Sequence, residues 1–113
     1  MRYRKIILSA LESMKTLMEE EGKKGLEEQR RVENENEEGV ITDLQAKQIW
    51  GDFDELYGIS QDLVNALLLH YQHKMDEEDI EAVKVKIGEL FAASPSSAYV
   101  ANLLMKIPQK FRW

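Results

Sequence analysis

The sequence predicts an all-α protein, a small bundle of four helices preceded by an N-terminal amphipathic helix and an acidic linker. Three observations carry this. Apolar residues recur at steps of three and four over most of the chain, the spacing of one helix face. No segment shows the two-residue alternation of a half-buried strand. The breaks between periodic segments hold helix-stopping and helix-starting residues, such as Gly58 ahead of Ser60 and Ser94 ahead of Pro95.

The first helix is expected from about Tyr3 to Glu21. Tyr3, Ile7, Ala10, Met14 and Leu17 alternate steps of four and three, and Ile6, Leu11 and Met18 widen the stripe. So narrow a seam resembles a coiled-coil edge. Docking onto the rest of the domain is the favoured role. The alternative is a partner or homodimer contact through Tyr3, Ile7, Met14 and Leu17. Gly22 and Gly25 then weaken the helix. The organisation expected is residues 1–24 as this helix, 25–39 as an acidic linker, and 40–113 as the compact domain. From Gly25 to Gly39 the apolar pattern lapses, and the Glu-rich run reads as solvated helix or disordered connector.

Within the compact part, Thr42 and Gln45 have capping-box spacing, with Ile41 placed to staple onto Ala46. Ala46, Ile49, Trp50, Phe53, Leu56 and Tyr57 then form one apolar face. Gly58 suits the left-handed residue that ends a helix, and Ser60 suits the cap of the next. That next helix aligns Val64, Leu67, Leu68, Tyr71 and Met75, with Leu63 and Leu69 extending the face. Asp76 caps another helix, whose core face is Ile80, Val83, Ile87, Leu90 and Phe91; Glu77, Glu78 and Asp79 favour its positive end. Ser94-Pro95 stops and restarts the chain. The last helix holds Tyr99, Val100, Leu103 and Leu104 and ends at Ile107-Pro108.

Composition bounds the function. With 113 residues, 43% hydrophobic and 32% charged, the chain suits one domain with one core. There is no cysteine, hence no disulfide framework and no thiolate metal site; a reducing, cytoplasmic setting fits. No apolar run reaches the roughly 20 residues of a membrane span, and Glu12 and Lys15 interrupt the basic, apolar start that would otherwise suggest a signal peptide. A net charge of −6 argues against general duplex-DNA binding, which runs on Lys and Arg. The charge is uneven. Arg2, Arg4 and Lys5 make one end basic, Lys106, Lys110 and Arg112 the other, and the acid is densest from Glu19 to Glu38.

Enzyme chemistry is not visible. His70 and His73 sit three apart, with Asp76 and Glu77 beyond, but a closed zinc site needs more ligands than the chain's two histidines supply. No metal and no cofactor is expected. There is no phosphate-binding loop, nucleophile elbow or calcium loop. Asp52, Asp54 and Glu55 read as solvated, and Ser94, Ser96 and Ser97 as capping and turn residues. The tail is the exception, because Lys106, Lys110, Phe111, Arg112 and Trp113 interleave cations and rings as single-strand-binding surfaces do. Two other roles stay open for it: closing the bundle, or anchoring a partner protein.

The stretch Glu55-Leu-Tyr57-Gly58-Ile59-Ser60-Gln-Asp62-Leu63-Val64-Asn65-Ala-Leu67-Leu68 resembles the DnaB/DnaD-type helical domain of bacterial and phage primosome proteins, factors of replication initiation and helicase loading. Tyr99-x-x-x-Leu103 resembles that family's later motif, and the basic-aromatic tail follows it. The resemblance implies a replication accessory protein engaging a helicase or initiator. It also implies single-stranded DNA contact through Tyr99, Leu103 and the tail. The other class of function is a small acidic interaction module, such as a regulator, inhibitor or secretion-type chaperone, gripping a partner helix.

Overall fold

The computed structural model describes residues 2–112, residue 2 through its backbone alone. Its architecture is all-α, with no strand among the described residues. Four rods make the bundle. The first joins α1 (Arg2–Leu17), a π turn (Met18–Gly22) and α2 (Lys23–Glu35) end to end. The second is α3 (Asp43–Tyr71), the third α4 (Glu77–Ala93) and the fourth α5 (Ser97–Lys106). Single 3-10 turns follow α3 at Gln72–Lys74 and α5 at Gln109–Phe111.

The ends obey local chemistry. Thr42 accepts from the Gln45 amide while Gln45 Oε1 accepts from the Thr42 amide, so the capping box opens α3. Asp76 and Asp79 repeat the arrangement at α4. Ser96 caps α5, which leaves Pro95 in the connector instead of the first turn. In the turn between α2 and α3, Gly39 takes a φ of 71°, a conformation glycine adopts without a Cβ clash.

Three features depart from the sequence expectation. First, α3 is unbroken for 29 residues, and Gly58 is an interior helical residue. Gly39 is the sole glycine with positive φ among the described residues, so Tyr57-Gly58-Ile59-Ser60 is not a joint. Second, the N-terminal stripe is core, which agrees with the favoured docking role and departs from the alternative partner or homodimer contact. Ile7, Leu11 and Met14 have no exposed surface and Met18 almost none; α1 packs on both α3 and α4. Third, residues 25–35 are helix docked on α3, not a free connector. Gly25 and Val32 are buried, and Gln29 Oε1 accepts a 2.7 Å bond from Trp50 Nε1.

The inward positions of the first rod run Ile7, Leu11, Met14, Met18, Gly22, Gly25, Gln29 and Val32. Two consecutive steps of four meet at Met18, where the π turn begins and absorbs the extra residue. Beyond it the inward residues become small because large groups face them. A Cβ on Gly25 would lie 2.5 Å from the Trp50 ring, and one on Gly22 would lie 3.1 Å from the Pro95 ring.

The rod geometry fixes the shape, 54 × 21 × 19 Å. Tyr3 stacks on Tyr71 at 4.4 Å, and Gly25 meets Trp50, so the first rod and α3 run antiparallel. At one end α1, α3, α4 and α5 share a core that Phe111 closes with no exposed surface. At the other end α2 and the first turns of α3 project as a two-helix arm. Across the body, Arg4 reaches the buried carboxylate of Asp79 at 3.3 Å, and Lys86 pairs with Glu12 and Glu89. No helix among the described residues is long and apolar enough to cross a membrane.

Candidate partner-docking surface

α3 carries more apolar residues than one face can hold. Phe53, Tyr57, Val64 and Leu68 point into the core. At 100° per residue, Ile49, Leu56, Ile59 and Leu63 lie roughly 100° around the helix from them, on one flank. Leu56 is 50% exposed, Ile59 61% and Leu63 54%. Single exposed apolar residues are ordinary, but successive turns of one flank are a stripe.

The stripe runs into a groove. Between α2 and the N-terminal half of α3 is an open cleft of about 500 Å³. Gly25, Val32, Ile49, Phe53 and Leu56 give it apolar lining; Glu21, Lys24, Glu28, Arg31, Glu35 and Asp52 give it charge. Beside the cleft, the Trp50 ring sits against Gly25 and edge-on to Phe53 at 5.5 Å. Arg31 bridges Glu28 and Glu35, with its Nη2 2.5 Å from Glu28 Oε1 and its Nη1 2.7 Å from Glu35 Oε1. That guanidinium holds the Glu28 carboxyl below the usual carboxylate range, and the two glutamates push the arginine's own pKa up.

The sequence-predicted tail site is taken apart by the fold. Phe111 and Leu103 are fully buried, so neither offers a surface to nucleic acid or partner. Arg112 is exposed, but its guanidinium donates to the carbonyls of Met105 at 3.0 Å and Ile107 at 2.8 Å, closing the end of α5. Lys110 Nζ donates to the Gln72 carbonyl at 3.4 Å, and Lys106 is exposed. Trp113 lies outside the described residues. Tyr99 is half-buried: its hydroxyl donates to Asp54 Oδ1 at 2.6 Å, and its carbonyl accepts from the Tyr57 hydroxyl. Burial pushes both phenols up, Asp54 adding to the effect at Tyr99, so both stay protonated at neutral pH. Asp54 is exposed, in keeping with the solvated reading, and is also tied to α5 by the bond from Tyr99.

The expected N-terminal contact set changes in the same way. Ile7 and Met14 are interior. Tyr3 is half-buried between Tyr71 and Lys74, whose Nζ stands 5.3 Å from the ring centroid. Leu17 is half-buried against the core. His70 is exposed and packs edge-on to Tyr71. Among the described residues, no three histidines or carboxylates gather as a metal site.

The surface that the sequence reading missed had a signal. Ile49, Leu56 and Leu63 repeat every seven residues, with Ile59 between the last two. Splitting the helix at Gly58 resets the phase and places Leu56 and Leu63 on two separate core faces. Read as one helix, they form a second stripe. No protein-family model matches the chain, and neither a curated protein nor a solved structure shows significant similarity to it.

Proposed function

We propose that this protein is a non-enzymatic, acidic interaction module that holds an amphipathic helix of a partner protein along α3. The observation that carries the reading is the second apolar stripe, Leu56, Ile59 and Leu63, which is half or more exposed and continuous with the α2–α3 cleft. A helix laid into such a groove buries side chains spaced i, i+3 and i+7 against the stripe. The chain supplies contact surface, not a reaction centre.

This favours the interaction-module class over direct single-strand binding. Phe111, the tail ring among the described residues, is committed to the core, and α3 runs straight through the primosome-like segment. A helicase or initiator is one kind of protein partner that the docking reading accommodates. The test compares wild type with Ile59→Asp/Leu63→Asp in capture from extract of the source cells. A protein retained by wild type and lost by the double variant supports docking on α3. Equal retention by both refutes it.

A further inference from the structure

Along this face the chemistry changes from one end to the other. Toward the C-terminal half of α3 the flank is bare hydrocarbon, Ile59 and Leu63. Seven residues before Ile59, on the same flank, stands Asp52, which makes no ion pair among the described residues. Beyond it, α2 contributes Glu28 and Glu35, and the π turn adds Glu21 to the same cleft. Two cations answer these four carboxylates: Lys24, 3.3 Å from Glu21, and Arg31.

We propose that the occupant is a basic amphipathic helix about 18 residues long, and that Arg31 fills the seat of one of its cations. The inference rests on the docking reading above. Length follows from the span Gln45 to Leu63, about 27 Å of helix. Sign follows from charge complementarity: apolar residues at one end of the occupant meet Ile59 and Leu63, and Lys or Arg at the other end meets Asp52 and the glutamates. A second copy of this chain, itself at −6, would set acid against acid, and phosphate-bearing partners are repelled for the same reason. Arg31 is displaceable because it and both its glutamates are about half exposed, where ion pairs are weak. An incoming cation takes over Glu28 and Glu35 and releases it.

The probes are two labelled 18-residue peptides, one a Leu/Lys amphipathic helix and the other its Leu/Glu counterpart, followed by fluorescence anisotropy at pH 7. The Lys peptide binds wild type, and Ile59→Asp weakens it by about tenfold or more. Ile59→Asp adds a negative charge, so attraction by charge alone would strengthen binding instead. Arg31→Gln tightens the Lys peptide about threefold at low salt, and the gain vanishes at about 0.5 M salt. Equal binding of both peptides, both lost in Ile59→Asp, overturns the basic occupant while the docking face stands. Binding indifferent to Ile59→Asp overturns the docking face as well. Arg31→Gln weakening the Lys peptide overturns the role given to Arg31. A dimer in light scattering that Ile59→Asp dissociates assigns the face to a second copy and overturns the proposal. Unchanged circular dichroism of both surface variants validates the comparison.

Discussion

Replacing Gly58 by alanine should stabilise the protein, and the sign decides how the middle of the chain is built. Gly58 lies inside α3, its φ is not positive, and a Cβ there would meet nothing within 4 Å. The substitution therefore adds no clash and fills no cavity. What remains is the backbone term, about 1 kcal/mol in favour of alanine in a helix interior. For a domain of this size that is a rise of about 3–5 °C in Tm. Gly51 has the same open surroundings, and two helical turns separate the positions, so the double variant should gain about 2 kcal/mol. Urea titration followed at 222 nm measures each step, with the m-value unchanged. Were Gly58 a left-handed joint between two helices, alanine would cost about 1–2 kcal/mol. A fall in the urea midpoint of Gly58→Ala refutes the continuous α3, and with it the second stripe.

Three further outcomes follow from named contacts. Gly25→Ala drives a Cβ into the Trp50 ring and displaces the indole from Gln29, so its net cost is about 1–2 kcal/mol, seen in chemical unfolding together with a changed tryptophan emission. Phe111→Ala removes a fully buried ring and should cost about 3–5 kcal/mol by thermal or urea unfolding; a neutral result would put the ring on the surface. Tyr57 and Tyr99 have pKa values raised above the ordinary 10, so their contribution is full below pH 10 and is lost as pH climbs beyond it. Tyr57→Phe should blunt that alkaline loss in melts recorded across the range.

What could be read from sequence was what local chemistry decides. The Thr42–Gln45 and Asp76 starts, the stop at Ile107-Pro108 and the core faces of α4 and α5, except for Phe91, which is 38% exposed, depend on neighbours within a turn or two. Gly58 was misread because a glycine costs a helix only about 1 kcal/mol, less than continuous packing of a long helix returns. The packing of α2 on α3 was unreadable for a different reason. The inward positions of α2 hold Gly25 and Gln29, which become a packing face only because Trp50, far along the chain, fills the notch and donates to the amide. The tail's cations and rings match a nucleic-acid pattern by residue type. Their roles were set by distance: Phe111 reaches the core and Arg112 reaches carbonyls left open at the end of α5. The second apolar stripe was present in the sevenfold spacing of Ile49, Leu56 and Leu63, hidden by the assumed break between them.

α3 presents two apolar faces, one turned into the core and one left exposed on its flank. Amide chemical-shift mapping by NMR, with the Leu/Lys peptide titrated into labelled protein, tests docking on the second directly. Perturbations grouped on Ile49 to Leu63 and on the facing positions of α2 are the predicted result. Perturbations grouped instead on α4, α5 and the C-terminal turn, with α3 silent, would contradict it.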